Sequence, residues 1–435
     1  MYEKYYSAKK DIVCAGLEKL KAQGKVLAVW SAGNRGEVFL KTCDPEREYI
    51  DYVFDMNDKL VGQHTDTGHY VADYRSTDVD AIILVDPIYS IDSIIRLKSI
   101  GNKAEVCCLE DIIYGNRSLA EALDLYTGRI ELEKVRTVKI AALTIVYNTD
   151  LEEVLRNVMT YADKVERVYI FDNSPESNQD SFDKIEKKHH IYYIHGKGVN
   201  YGIGGPINHV AREIMEEGFD WLITFDQDSL VFTDTIDEMR KYVESSFFDK
   251  KVGVVAPNIF GNLEPLSRIC KDMVPYLTYK NEIIQSGAMH SLEAWHEIGG
   301  YNEALFIDFV DFEYCFRVKK AGYSIVHLNR CFLKHQTKDE YEEFFSKGDG
   351  LVSRGKYSLK RIYYHFRNFY YCAINQGKSD PVFAEECADY KEMMIRKAKY
   401  DFPPETIERV IKIAESDAAE ERMGEAKHLE GQGLC

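Results

Sequence analysis

The stretch that most constrains this chain is a short apolar segment that ends in two acids one residue apart, Trp221-Leu-Ile-Thr-Phe-Asp226-Gln-Asp228-Ser229. An apolar run of this length, rich in β-branched and aromatic residues, predicts a buried strand that ends at Asp226. Asp226 and Asp228 would then lie on one side of the extended chain, where their oxygens suit Mg²⁺ or Mn²⁺, or a ribose hydroxyl and a cation. Acid pairs after strands also form turns and cap helices, and this segment alone does not separate the two interpretations.

Composition bounds the number of domains and excludes one class of partner. A chain of 435 residues with 45% apolar residues predicts two or three domains, each with its own core. A formal charge of −17 argues against a nucleic-acid-binding surface, which needs a basic footprint.

Cysteine usage and the absence of long apolar runs predict the compartment. The ten cysteines include no C-x-x-C pair, which predicts reduced and mostly buried thiols. The amino terminus lacks the build of a signal peptide, and no apolar run approaches membrane-spanning length. We therefore expect a cytoplasmic protein.

Residues 1–115 predict a Rossmann-like domain with a parallel sheet. Four strand-like runs, at 25–30, 50–55, 81–85 and 104–109, alternate with helical patterns. The turn Ser31-Ala-Gly33-Asn-Arg-Gly36 follows the first strand and resembles a dinucleotide-binding turn with serine in the first glycine position. The domain could bind a nucleotide, with Asp55 as ribose ligand, or serve as a scaffold or an oligomerisation domain.

A helical linker over 116–136 precedes a second βαβ series, which again ends its strands in polar residues. Strands at 138–146 and 165–171 run into Asn148 and into Asp172-Asn173. Open α/β sheets bind ligands at the carboxyl ends of their strands, so these side chains should converge with Asp226 and Asp228. The alternative is that Asp172-Asn-Ser-Pro175 is only a turn.

A glycine-rich segment follows the next predicted strand. It reads His195-Gly-Lys-Gly-Val-Asn200-Tyr-Gly202-Ile-Gly204-Gly205-Pro-Ile-Asn208 and leads into a helix predicted over 208–216. Its glycines would let backbone amides approach an anionic group, and Lys197 could add charge. A glycine-rich turn with a solvated lysine is the alternative.

Taken together and in order, these motifs resemble family 2 glycosyltransferases, and the Asp-Gln-Asp-Ser form is most similar to bacterial rhamnosyltransferases. The resemblance covers about residues 138–340. It is carried by Val146-Tyr-Asn148, Phe171-Asp172-Asn173, Asn200-x-Gly202 with Asn208, Phe225-Asp226-Gln-Asp228-Ser229, Gln285-Ser286-Gly287, Ile298-Gly-Gly300-Tyr-Asn-Glu303 and Leu305-Phe-Ile-Asp308-Phe-Val-Asp311-Phe-Glu313-Tyr-Cys-Phe-Arg317.

The resemblance implies a fold and a set of site residues. It implies an α/β protein whose residues 137–345 form a GT-A mixed-sheet domain that inverts the anomeric carbon of a nucleotide sugar. Mg²⁺ or Mn²⁺ would be held by Asp228 and His335. Asp311 would be the catalytic base, and Asp308 and Glu313 would bind the acceptor. The implied donor-binding residues are Asn148, Asp172, Asn173, Asn200, Gly202, Asn208 and Asp226.

Residues 346–435 predict a C-terminal helical region with a distinctive first part. Between 354 and 371, basic and aromatic residues interleave without an acid. Such a helix could cover the active site, contact the phosphates of a lipid-linked acceptor, or rest on an anionic membrane as a peripheral contact. It could equally pack its aromatic residues on the catalytic domain, with the cations reaching solvent.

Four hypotheses on function follow. The favoured one is a metal-dependent inverting glycosyltransferase that moves L-rhamnose from dTDP-L-rhamnose to a cell-surface polysaccharide or glycolipid. A glycosyltransferase with another donor, such as UDP-galactose, is the near alternative, and an NAD(P)-dependent sugar-modifying enzyme is the more distant one. A catalytically inactive glycan-binding module would not need Asp226, Asp228, Asp311 and His335 together.

Overall fold

The computed structural model describes most of the chain. The described residues are 2–86, 90–115, 117–127, 132–183, 190–232, 234–261, 268, 273–335, 341–346, 350–355, 357–377 and 380–431.

Helices and strands alternate through most of the described chain. The helices are α1 (Tyr2–Ala22), α2 (Asn34–Cys43), α3 (Ser90–Ser99), α4 (Leu109–Ile113), α5 (Leu119–Thr127), α6 (Leu151–Val158), α7 (Gln179–Asp183), α8 (Gly204–Glu216), α9 (Thr235–Glu244), α10 (Leu292–Glu297), α11 (Val310–Lys320), α12 (Leu359–Asn375), α13 (Pro381–Ala398) and α14 (Pro404–Ala419). The strands are β1 (Leu27–Trp30), β2 (Tyr52–Phe54), β3 (Ala81–Leu84), β4 (Glu105–Cys108), β5 (Ile140–Val146), β6 (Arg167–Asp172), β7 (Ile191–His195), β8 (Trp221–Asp226), β9 (Ser229–Val231), β10 (Val252–Phe260), β11 (Leu277–Tyr279), β12 (Met289–Ser291), β13 (Ser324–His335), β14 (Tyr341–Ser346) and β15 (Gly350–Gly355).

The chain divides into two compact units, each built from three segments. Unit 1 comprises residues 1–137, 232–281 and 322–333, and unit 2 comprises residues 138–231, 282–321 and 334–435. The domain boundaries expected from the sequence, at 115, 136 and 345, stay predictions.

Unit 1 contains a four-stranded parallel sheet in the order β2-β1-β3-β4. Side chains alternate between its faces: Val29 packs in one apolar cluster with residues of α1 and α2, while Ala28 and Trp30 pack in a second cluster. Because both faces are covered, β1 is buried at every position, as a parallel strand between two layers of side chains should be.

The turn after β1 is closed by groups of unit 1 itself. The Asp55 carboxylate accepts hydrogen bonds from the backbone N–H groups of Ala32 and Asn57, both at 2.8 Å. Arg35 forms an ion pair with Asp86. A Cβ on Gly36 would lie 1.8 Å from the Ser31 carbonyl oxygen, so only glycine fits there. These contacts favour the scaffold interpretation of the turn. The Asp55 carboxylate already accepts hydrogen bonds from backbone N–H groups, and a ribose hydroxyl would have to compete with them.

Unit 2 contains a mixed sheet in the order β12-β8-β5-β6-β7. Strands β8, β5, β6 and β7 are parallel, and β12 pairs antiparallel with β8. Every residue of β5 is buried, which explains its uninterrupted apolar sequence. An α/β organisation with a parallel-sheet domain, a mixed-sheet domain and C-terminal helices confirms the predicted fold class.

The C-terminal part of unit 2 differs in one respect from the expectation. The predicted helix begins only at Leu359, where the Ser358 hydroxyl accepts a hydrogen bond from the Arg361 N–H, and residues 350–355 form β15 instead. The helix α12 buries Tyr363, Tyr364 and Phe366 against α13 and α14. This burial fits the packing interpretation of residues 354–371, although the side chains of 354–356 lie outside the described ones.

Two sequence expectations concern the chain as a whole. None of the helices within the described residues has the length and apolar character needed to cross a membrane. The eight cysteines that the described residues include are free thiols, and seven of them are buried. Cys270 and Cys435 lie outside the described residues.

A buried carboxylate stabilises the connection between α2 and β2. Asp44 is 1% exposed and accepts hydrogen bonds from the N–H groups of Glu48, Tyr49 and Ile50. The His69 ring lies 3.0 Å from the same carboxylate. Although burial raises the pKa of Asp44, these hydrogen bonds outweigh it, and the pKa lies below its ordinary value.

We expect Asp44→Ala to destabilise unit 1, because three backbone N–H groups and one imidazole would lose their acceptor. The free energy of unfolding should fall by about 3 kcal/mol. Calorimetry would show a melting transition lowered by several degrees, whereas the control Asp78→Ala, at an exposed position, should leave it unchanged. Equal melting of the two variants would contradict the role given to Asp44.

Candidate active site

The register of unit 2 brings three strand ends to one edge of the sheet. Ile145 of β5 pairs with Asp226 of β8, and Val146 pairs with Asp172 of β6. Parallel strands present their carboxyl ends at the same edge, and the two acids that follow the β8 core therefore emerge beside the end of β5. This is the edge at which the sequence predicts a ligand site.

Asp226, Asp228 and His335 form a group that could hold a metal ion. One ligand atom from each lies within 4.8 Å of the others. The His335 Nδ1 atom is 3.6 Å from an Asp228 oxygen, and its Nε2 atom is 4.0 Å from an Asp226 oxygen. Two carboxylates and one imidazole are a donor set that suits Mn²⁺ or Mg²⁺. The three residues chosen from the sequence are thus brought together.

Residues 285 and 286 support Asp226 from the neighbouring segment. The Gln285 side-chain amide donates to an Asp226 carboxylate oxygen, and the Asp226 backbone N–H donates to the Ser286 hydroxyl at 3.1 Å. The Gln285 Oε1 atom is buried, and no described residue is its hydrogen-bond partner. Burial raises the pKa of Asp226 and the charge of Asp228 adds to this, while His335 and Gln285 act in the opposite direction. The sequence motif Gln285-Ser286-Gly287 marked this segment without revealing which atom it contacts.

Asp311, the predicted base, lies on the first turn of α11 and lines the same cavity as the metal-binding group. Its Oδ1 atom is buried without a hydrogen-bond partner among the described residues. Burial raises the pKa of Asp311 to about 8, the negative charge of Asp226 adds to it, and a hydrogen bond from the Gln285 backbone partly offsets both. A carboxyl group in this state takes up a proton near neutral pH.

The two predicted acceptor-binding acids have different surroundings. Asp308 lines the cavity, and both its oxygens accept from Arg361, at 2.7 and 2.5 Å. Glu313 is 1% exposed and accepts from Arg317 one helical turn later and from Gln376. Glu313 therefore has a structural position away from the cavity, while Asp308 remains at its wall.

The glycine-rich segment forms part of the cavity wall through Asn173, Asn200 and Gly202. The Asn173 side chain donates to the Gly202 carbonyl and accepts from the Tyr201 N–H, and Asn200 accepts from the Gly202 N–H. Gly202 has φ +66°, and a Cβ there would lie 2.1 Å from the Phe306 carbonyl oxygen. Helix α8 begins at Gly204, four residues earlier than predicted, so the last two glycines lie in its first turn.

Three predicted donor-binding residues lie outside the cavity as its described walls define it. Asn148 is exposed, with φ +45°. Asp172 is 0% exposed and accepts from the Ser174 N–H, the Asn178 amide and the Tyr193 hydroxyl. Burial raises the pKa of Asp172, but those hydrogen bonds outweigh it and leave the pKa low.

Asn208 is the third of these residues, and it connects α8 to the segment after α10. It is 2% exposed; its amide donates to the Tyr301 carbonyl and to Glu303, and its oxygen accepts from Trp295 and the Tyr301 N–H. The structure thus gives Asn208 and Asp172 full sets of internal partners and does not bring them to the cavity.

The cavity has a volume of about 1000 Å³ and reaches from the strand ends to the C-terminal helices. Its walls include residues 145–147, 226–228, 282–285 and 306–312. Side chains of the C-terminal part complete it: Tyr357, Arg361, His365, Tyr390, Met393, Met394 and Lys397. The sequence indicates a basic and aromatic helix. It does not indicate that Arg361 and His365 lie against the Asp308 carboxylate, because contacts between residues so far apart in the chain leave no local pattern.

Comparison with known proteins finds a relative that matches part of this chain. The dTDP-rhamnosyl transferase RfbF of Shigella flexneri is 29% identical over an alignment of 201 residues, and the match covers 43% of this chain and 66% of that protein. This chain resembles glycosyltransferases. The resemblance inferred from the motifs is confirmed, over somewhat less than two thirds of the relative's length.

Other likenesses are more distant or cover less of the chain. A family model described as a C-methyltransferase C-terminal domain matches residues 1–74. Among solved structures, TarS 1–349 of S. aureus in complex with UDP-GlcNAc has a TM-score of 0.43 at 12% identity, over 65% of this chain and 81% of that one. GalNAc-T7 with UDP, GalNAc and Mn²⁺ has a TM-score of 0.41 at 11% identity, over 62% and 59%. The two structural likenesses are too distant to assign a ligand or an activity.

The raised pKa of Asp311 leads to a stability prediction. A carboxyl group with a raised folded-state pKa binds its proton more tightly in the folded protein, so stability is lost as the pH rises from 3.8 to about 8. Asp311→Asn removes this loss and should raise the melting temperature in EDTA. The gain in the free energy of unfolding should be on the order of 2 kcal/mol larger at pH 7 than at pH 5.

Asp308→Asn is the matched control, because its wild-type carboxylate has an ion-pair partner in Arg361. This variant should melt at a lower temperature than the wild type at pH 7. If Asp311→Asn melts at the wild-type temperature at both pH values, the raised pKa of Asp311 in the folded protein is contradicted.

Proposed function

We propose that this chain is a metal-dependent inverting glycosyltransferase that transfers L-rhamnose from dTDP-L-rhamnose to a hydroxyl group of a surface polysaccharide or glycolipid. The observation that carries the proposal is the placement of Asp226, Asp228 and His335 in one cavity with Asp311. The two aspartates and the histidine can hold a cation next to a leaving diphosphate, and Asp311 can accept a proton. Inverting transfer needs these two capacities on either side of one sugar.

Asp226, Asp228 and His335 would hold Mg²⁺ or Mn²⁺. Such an ion, when bound, supplies positive charge that offsets the charge growing on the departing nucleoside diphosphate. Gln285 and Ser286 orient Asp226 through its side chain and its backbone N–H. The Ser229 hydroxyl lies 3.3 Å from the His335 Nδ1 atom and helps to fix the ring.

Asp311 would remove the proton of the acceptor hydroxyl. A base is most effective when its pKa lies near the operating pH, and burial with the Asp226 charge raises the pKa of Asp311 to about 8. Cation binding at the neighbouring group would offset the Asp226 charge, so the pKa of Asp311 should fall when the site is loaded. We assign to the incoming hydroxyl the Oδ1 atom, which has no hydrogen-bond partner among the described residues.

The donor side is formed by the Asn200–Gly202 segment with Asn173, and the acceptor side by the wall that Asp308 and Arg361 share. Similarity to the dTDP-rhamnosyl transferase RfbF supports the choice of donor. The acid pair does not itself read the sugar, so another nucleotide sugar, such as UDP-galactose, is the alternative outcome. An NAD(P)-dependent activity has no support, since Asp55 already binds the backbone of its own turn.

A donor panel tests the proposal. The full chain should hydrolyse or transfer from dTDP-L-rhamnose in the presence of Mg²⁺ or Mn²⁺, and EDTA should abolish the activity. Asp228→Ala should lower kcat/KM by about 10²- to 10³-fold, because one group that supports the charge of the leaving diphosphate is lost. Asp163→Ala, at an exposed position in unit 2, is the control and should keep wild-type activity.

Each outcome of the panel has a clear meaning. Preference for a uridine donor would retain the transferase and replace its donor. Activity that survives EDTA and Asp228→Ala would contradict the metal-dependent mechanism. No turnover with any nucleotide sugar, under conditions in which the chain is folded, would contradict the transferase assignment.

A further inference from the structure

The backbone just before the Asp311 helix is unusually strained. Phe306, Asp308 and Phe309 have φ values of 67°, 63° and 62°, a region that residues other than glycine rarely adopt. A residue in this conformation is strained and persists only where its surroundings hold it. Phe309 is the N-cap residue that precedes α11, and Asp311 is the second residue of that helix.

Phe306 occupies the central position of a rare turn. Its φ of 67° and ψ of −70° are those of the strained form of the γ-turn, and the Ile307 N–H donates to the Leu305 carbonyl at 2.8 Å. The Phe306 carbonyl then accepts from the Ile203 N–H at 2.8 Å. The segment 305–309, which we call the strained loop, therefore connects the donor-side segment to α11.

Asn368 on α12 holds the strained loop from the other side. Its side-chain nitrogen lies 2.8 Å from each of the carbonyl oxygens of Leu305, Ile307 and Asp308, so that its two N–H groups are shared among three acceptors, and the residue is 0% exposed. These carbonyls lie in the same short segment as the residues of positive φ, and Asp308 belongs to both sets. A buried carbonyl without a donor is costly, so the amide stabilises the strained backbone over its relaxed forms.

Arg367 fixes the orientation of that amide. It is also 0% exposed, and its guanidinium donates to the Asn368 Oδ1 atom at 3.2 and 3.1 Å. The same guanidinium donates to the Leu305 carbonyl at 3.2 Å and to the Gly424 carbonyl at 2.7 Å. With Oδ1 satisfied by a cation, the NH₂ group of Asn368 must point at the loop.

We propose that Asn368, oriented by Arg367, is a positioning residue for Asp311. Its amide keeps the strained loop in the conformation that sets the direction of α11 and thereby places the Asp311 carboxylate in the cavity. Arg361, seven residues earlier on the same face of α12, holds Asp308 in that loop. The inference rests on the proposed function, in which Asp311 is the base, and it makes the C-terminal helix a part of the catalytic unit.

A double-mutant cycle with Asp311→Asn tests the proposal. Asn368→Asp keeps the size of the side chain and replaces the donor by an oxygen that repels three carbonyls. In the wild-type background kcat should fall about 100-fold, the scale expected when a catalytic group is displaced by about 1 Å. In the Asp311→Asn background the same change should alter kcat less than about threefold, because the positioned group is already absent.

Asn375→Asp is the matched control. It makes the same substitution at the exposed end of the same helix, where the amide donates to the Tyr371 carbonyl at 2.9 Å within its own helix, and it should keep wild-type kcat. Equal losses from Asn368→Asp in both backgrounds would show a general structural role and overturn the proposal, as would an unchanged kcat. If Asn368→Asp does not fold, Asn368→Ser removes the donors without adding repulsion, and the same cycle applies.

Hydrogen exchange gives a readout that does not depend on activity. Peptides covering residues 305–312 should exchange at least 10-fold faster in the Asn368 variant than in Asn375→Asp, while peptides of β5 stay unchanged. If the wild type proves inactive on all donors, the proposed function fails and this measurement still decides on the loop. Unchanged exchange at 305–312 would overturn the positioning role in either case.

Discussion

The candidate site of unit 2 depends on keeping several carboxylates close together in one cavity. Asp226 and Asp228 approach the same imidazole, and burial, together with the charge of Asp226, raises the pKa of Asp311. Like charges at such separations repel strongly where water is scarce. A cation on one side and a proton on the other are the two ways in which that repulsion can be offset, and both are what sugar transfer from a nucleoside diphosphate uses.

Rigid elements hold these groups in place against their repulsion. The parallel register of β5 and β8 fixes Asp226, and Gln285 and Ser286 secure it from the next segment. Asp311, the proposed base, has a different kind of support, since it follows a loop of positive φ that buried side chains of α12 hold. The free energy stored in that loop is therefore offset by packing in the C-terminal helices, whose aromatic residues are buried with Arg367.

The sequence was most informative for those residues of the candidate site whose location follows from their position along a strand or a helix. Asp226 and Asp228 follow from a buried strand with an acidic end, and the order of motifs added Asp311 and His335. It was less informative for Asp172 and Glu313, because residue type does not tell whether a neighbour already satisfies the side chain. Tyr193 and Asn178 donate hydrogen bonds to the Asp172 carboxylate, and Arg317 donates to Glu313. The contacts of Arg367 and Asn368 with the loop span about sixty residues and leave no periodic pattern.

A crystal structure with thymidine diphosphate and Mn²⁺ tests the central claim most directly. We predict one Mn²⁺ ion bound by Asp226, Asp228 and His335, the diphosphate on that ion, and the Asp311 carboxylate facing the space that a sugar would fill. An ion at another place, or a nucleotide bound outside the cavity that contains Asp311, would contradict it.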